Sequence, residues 1–103
     1  MTTYHRVADV KDLAPGSCMA VQVGAHKIAL FNVDGTFYAI GDTCTHRGGP
    51  LSQGTFDGSR VVCPWHGACF DLRTGKNLTP PAPGSVPSYS VRIEGNNVQV
   101  ELS

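Results

Sequence analysis

Two short arms set the problem for any fold of this chain. Cys44-Thr45-His46 offers a thiol and an imidazole two residues apart. Cys63-Pro64-Trp65-His66 offers the same pair three apart, and residues 47–62 separate the arms. Five glycines (Gly48, Gly49, Gly54, Gly58 and Gly67) fall within residues 42–71. Glycine lets the main chain approach a bulky group closely and adopt positive φ. The segment therefore reads as an insertion that wraps something. Four soft or borderline ligands in two close pairs do not fit a scatter of ordinary surface side chains.

Two metal readings compete. Zinc takes two cysteines and two histidines tetrahedrally, but the usual finger pairs Cys with Cys and His with His. In a [2Fe–2S] rhomb held by two Cys and two His, one iron carries both thiolates and the other both imidazoles. Two loops gripping such a rhomb from opposite sides would each supply one ligand to each iron, which accounts for the mixed arms. Cys44 and Cys63 would then hold the inner iron, and His46 and His66 the outer one.

The rest of the chain reads as short strands and turns. "SCMAVQV" (17–23) alternates in part, and "HKIALFN" (26–32) leads through Asp34-Gly35, a strong hairpin signal, into "TFYAI" (36–40). Val91 and Ile93, then Val98, Val100 and Leu102, recur at period two around "EGNN", which predicts a second hairpin with one buried face. "ADVKDLAPG" (8–16) suits one helical turn stopped by Pro15-Gly16. "LTPPAPGSVP" (78–87) reads as a stiff returning loop.

Composition narrows the function classes. Hydrophobic residues make up 41% of the 103, enough for a single domain with a core. Eight acidic and eight basic residues cancel, which argues against a nucleic-acid partner. Apolar runs reach only four residues, as at Ile28–Phe31, whereas a membrane helix needs about 20. With no signal-peptide pattern in "MTTYHRVADV", the expectation is a soluble, cytoplasmic protein. Four cysteines in that setting suggest metal or redox chemistry more than disulfides. No Ser/His/Asp set and no phosphate-cradling loop supports substrate catalysis.

The spacing Cys44-x-His46 … Cys63-x-x-His66, with flanking "CTHRGGPL" and "CPWHGACFDLRTG", resembles the Rieske iron–sulfur proteins, in particular the soluble ferredoxins of bacterial ring-hydroxylating oxygenase systems. With that resemblance the zinc reading recedes. It implies an all-β fold of three small antiparallel sheets and one [2Fe–2S] cluster. A basal part (about 1–41 and 72–103) would carry a two-loop cluster-binding insertion (about 42–71), with "PPAPG" as the covering proline loop. Respiratory relatives have a cysteine in each arm that forms a disulfide; the matching positions here are Gly49 and Trp65, so none forms. Their serine and tyrosine hydroxyls near the cluster match Ala68 and Phe70, which have none.

The function so implied is one-electron transfer from a flavin-dependent NAD(P)H reductase to a terminal aromatic-ring oxygenase, by a monomer that docks transiently. The alternative is a permanently bound small subunit of a larger enzyme such as an assimilatory nitrite reductase. Of the remaining residues, Cys18 and Cys69 read as packing side chains, and His5 and His26 as surface. Trp65 reads equally as cluster shield or docking face, and Arg47 as a solvated arginine. Pro50, Leu51 and Pro64 read as apolar cover at the cluster tip, and Asp71 and Arg73 as structural.

Overall fold

The computed structural model describes residues 3–42, 50–58, 60–63, 69–76, 78 and 85–102. Among the described residues ten strands run in the order β1 (Thr3–Asp9), β2 (Cys18–Val23), β3 (His26–Val33), β4 (Thr36–Gly41), β5 (Thr55–Asp57), β6 (Arg60–Val62), β7 (Cys69–Asp71), β8 (Ser88–Tyr89), β9 (Val91–Glu94) and β10 (Asn97–Leu102). They form three antiparallel sheets ordered β1-β10-β9, β2-β3-β4-β8 and β5-β6-β7. The described residues include two 3-10 turns, Val10–Asp12 and Leu51–Gln53, and no α-helix. The all-β, three-sheet expectation holds.

The four-residue apolar run is the centre of the molecule. Ile28, Ala29, Leu30 and Phe31 are all fully buried, although consecutive strand residues point to opposite faces. Ile28 and Leu30 enter one core with Ala8, Leu13, Val98, Val100 and Leu102. Ala29 and Phe31 enter another with Leu51, Val61, Cys63 and Phe70. The β2-β3-β4-β8 sheet is thus packed on both sides, by the terminal sheet on one and the small β5-β6-β7 sheet on the other. Each large side chain so buried contributes about 1.5–3 kcal/mol.

Turn chemistry sets the registers. Asp34 (φ 53°) and Gly35 (φ 93°) are both left-handed, as a tight two-residue β3–β4 hairpin demands. Buried Asn32 braces that turn. Its Oδ1 accepts the Gly35 N–H at 2.8 Å, and its Nδ2 donates to the Leu13 carbonyl at 2.7 Å. The helical turn expected within 8–16 is the 3-10 turn Val10–Asp12, capped by the Asp9 side chain, which accepts the Lys11 N–H.

Two expectations change. Ile93 pairs with Val98 and shares its face, yet Ile93 is 45% exposed while Val98 is fully buried. β9 is the sheet edge, and there the core has run out. Leu51 is fully buried against Phe31 and Phe70, a core residue rather than tip cover. The pattern reading also assigned no strand to β1, which shows no clean alternation, or to β5, β6, β7 and β8, whose two or three residues are too short to show periodicity.

Asp71 organises the chain after β7, as expected of a structural residue. Its Oδ1 accepts N–H groups from Arg73 (2.7 Å) and Thr74 (3.3 Å). The turn ends at Gly75, whose carbonyl accepts the Val86 N–H at 2.9 Å. Gly75 has φ +76°, and a Cβ there would collide with the Val86 carbonyl oxygen. Gly24 is also left-handed (φ +59°) but faces open space. Gly75→Ala should therefore lose about 1–3 kcal/mol more than Gly24→Ala, the cost of overpacking added to a shared backbone penalty. Thermal unfolding of the two variants checks this, and equal Tm values would show that the contact with Val86 is slack.

Candidate metal centre

Cys63 follows β6 directly and is 2% exposed. It lies in the core shared by Phe31, Leu51, Val61 and Phe70. Cys44, His46 and His66 lie outside the described residues, as do Arg47, Pro64, Trp65 and Ala68. The described chain fixes where the arms are rooted. The first departs from the central sheet after Asp42 and returns at Pro50. The second departs at Cys63 and returns at Cys69, which pairs with Val62 across β6 and β7.

The second root is built by close approach. A Cβ on Gly54 would collide with the Val62 carbonyl oxygen, so only glycine lets the chain entering β5 lie against the residue before Cys63. The first root is built by Asp42, 8% exposed. Its N–H donates to the Lys27 carbonyl (3.0 Å), and its own carbonyl accepts the Leu51 N–H (2.6 Å). Its Oδ1 accepts the Ser52 N–H at 2.7 Å. Sequence reasoning missed both Asp42 and Ser52. They are ten residues apart, and no local spacing rule links an aspartate to a main-chain N–H at that distance.

The donor set fits a [2Fe–2S] cluster. A thiolate buried among apolar side chains is costly unless a positive metal or strong donors offset it. Burial at Cys63 thus admits two forms, a neutral thiol or a metal-bound thiolate. Cys18 is the contrasting case. Its Sγ–H donates to the Ser52 carbonyl at 2.9 Å. Burial pushes its thiol above the ordinary range, and the nearby Asp42 charge pushes it further. Its sulfur is thus engaged as a neutral hydrogen-bond donor to the chain at Ser52. Half-buried, it also fits the packing role expected of it. Cys69 is likewise half-buried. His5 hydrogen-bonds Thr3 Oγ1 at 2.9 Å, and exposed His26 stands edge-on to Tyr89. Among the described residues no three His, Cys, Asp or Glu side chains form a rival metal site.

Comparison with known proteins agrees with this chemistry. The family model of the Rieske [2Fe-2S] domain matches residues 3–90. The biphenyl dioxygenase ferredoxin subunit of Pseudomonas sp. (strain KKS102) is 41% identical, over 98% of this chain and 94% of that protein. The ferredoxin of carbazole 1,9a-dioxygenase from Nocardioides aromaticivorans IC177 superposes with a TM-score of 0.89 at 31% identity, covering 95% of this chain and 96% of that one. A chain from a complex of reduced oxygenase and oxidized ferredoxin in carbazole 1,9a-dioxygenase superposes at 0.86 with 36% identity, covering 94% and 91%. No helix among the described residues is long and apolar enough to cross a membrane. The chain belongs to the Rieske [2Fe–2S] domain family: it is a ferredoxin carrying one such cluster, similar to the ferredoxin subunits of bacterial aromatic-ring dioxygenases, and it transfers electrons rather than catalysing a reaction of its own.

Proposed function

We propose that this ferredoxin accepts single electrons from a flavin-dependent NAD(P)H reductase and passes them to a terminal aromatic-ring oxygenase in the cytoplasm, docking to each transiently as a monomer. The observation that carries the reading is the match to a dioxygenase ferredoxin subunit along 94% of that protein's length. The likeness to a ferredoxin solved with its oxygenase supports the second partner. A carrier that must bind and leave suits a small interface.

In this reading Cys44 and Cys63 hold the inner iron, and His46 and His66 the outer one. The cluster supplies one-electron redox chemistry. The chain supplies the rest. Phe31, Leu51, Val61 and Phe70 keep the Cys63 side dry, and the two imidazoles of the outer iron, one from each arm, would form the electron's exit. Residues 42–71 form the cluster-binding part, and 1–41 with 72–103 the basal part. In support, the small sheet β5-β6-β7 comes wholly from the first range, and the other two sheets come wholly from the second.

Three outcomes test this. In a mixture with a candidate reductase and oxygenase, substrate oxidation should require this protein. Oxidation at full rate without it, or elution of the native protein only as part of a large enzyme, would favour the permanent-subunit alternative. As to ligands, Ala at 44, 46, 63 or 66 should abolish stoichiometric iron, whereas Cys18→Ala and Cys69→Ala should retain it along with the mixed-ligand EPR signal. Iron analysis decides between them.

The third outcome is the midpoint potential. Two ferric ions, two sulfides, two thiolates and two neutral imidazoles sum to zero charge, and reduction adds one negative charge. Hydroxyl donors near the cluster therefore favour the reduced form and raise the potential. Residues 68 and 70 are Ala and Phe, with no hydroxyl. If each donor is worth about 1–2 kcal/mol between redox states, two missing donors lower the potential by on the order of 100 mV. Rieske centres span about −150 to +300 mV, so the wild type should fall below zero. Ala68→Ser and Phe70→Tyr should each raise it. Voltammetry checks both, and a wild-type value well above zero would refute the account.

A further inference from the structure

We infer that Asp42 is a positioning residue for the first ligand arm: it clasps the arm's two ends together and holds a buried negative charge beside it. The inference rests on the ligand reading proposed above. Cys44 lies two residues beyond Asp42. Asp42 makes three bonds to two separate pieces of chain. Its N–H is tied to Lys27 at the start of β3, and its carbonyl accepts the Leu51 N–H where the chain returns from the arm. Its carboxylate accepts the next N–H, that of Ser52. Ser52 is held from the other side as well, since its carbonyl accepts the Cys18 thiol proton. The arm therefore leaves and re-enters through one fixed gate. Asp42 and Asn32 are the two buried polar or charged side chains among the described residues. Asn32 braces a turn. Asp42 braces the segment that holds two of the four ligands.

The physical consequences separate into shape and charge. Fixing a residue's backbone costs conformational entropy, so an arm whose ends come loose has many non-ligating conformations to visit. The part-buried bond from the Ser52 N–H goes to a carboxylate, which makes it stronger than one between neutral groups. Alanine at 42 removes it and leaves the Ser52 N–H without that acceptor. Asparagine keeps an oxygen in the same place and removes only the charge. A negative charge beside a group that gains an electron opposes the gain. Asp42 should thus hold the potential down, and the asparagine variant should release it upward with the arm still closed.

The test uses the loaded protein with an iron chelator, following loss of visible absorbance, EPR g-values and midpoint potential. Asp42→Ala should bleach about tenfold faster than wild type or more, the factor that corresponds to about 1.4 kcal/mol of lost closure. Asp42→Asn should bleach within about twofold of wild type, with unchanged g-values and a raised potential. Bleaching of Asp42→Ala at the wild-type rate would overturn the clasp. So would Asp42→Asn bleaching as fast as Asp42→Ala, and an unmoved potential in Asp42→Asn would overturn the role of the charge. If Asp42→Ala does not fold, Asp42→Leu, which fills the same space without an acceptor, takes its place in the bleaching test with the same tenfold threshold, and Asp42→Asn decides the charge. Wild-type protein lacking iron, or Cys44→Ala with full iron, would sink the ligand reading instead. A normal, loaded wild type with both Asp42 variants indistinguishable from it would sink the clasp alone.

Discussion

Everything in this molecule hangs on β3 being buried on both faces. A strand with one wet face alternates; this one carries Ile28, Ala29, Leu30 and Phe31 in succession, all fully buried. Its odd and even residues serve different cores. One core fastens the terminal sheet and closes the fold. The other fastens the small β5-β6-β7 sheet, and with it Cys63. Loss of Phe31 would remove about 3–5 kcal/mol, and would remove it from the side of the central sheet on which Cys63 lies.

That dependence explains what could be read from the residues and what could not. The hairpins at Asp34-Gly35 and around Gly95 were legible, because their signals are local: a turn dipeptide between apolar runs. The family was legible in the two Cys/His pairs, because metal chemistry restricts both residue type and spacing. The small sheet was not. β5, β6 and β7 have three residues each, too few for a period, and they become strands only through packing of Val61 and Phe70 against β3. Ile93 failed for the complementary reason. Its period-two position was right, but burial depends on having a neighbour, and an edge strand lacks one on its outer side. Asp42 and Ser52 were invisible for a third reason. Their link joins a side chain to a main-chain N–H ten residues away, and the N–H carries no residue identity for a pattern to detect.

The two roots of the site belong to different sheets. The first arm grows from the end of β4 in the central sheet, and the second from the end of β6 in the small one. Neither sheet alone fixes the distance between the roots. It is set by the packing between them, through Ala29, Phe31, Leu51, Val61 and Phe70. Leu51 matters doubly, since its N–H closes the first arm against Asp42 while its side chain fills the core beside Cys63. A core residue there couples the arm's closure to the packing of the other arm's support.

The coupling must run in both directions. On the ligand set proposed above, the cluster cross-links the two sheets, and binding that favours the folded chain over the unfolded one is by linkage folding free energy. The small sheet has only three-residue strands and one main apolar contact surface, so it has the least intrinsic stability to lose. The central and terminal sheets share a second core that Cys63 does not enter. Removal of the cluster should therefore not weaken the molecule uniformly. The loss falls on the β5-β6-β7 sheet and the two arm roots, while the β1-β10-β9 packing on β3 keeps its own buried surface. The arrangement gives an electron carrier a base with a core of its own, separate from the core that Cys63 enters.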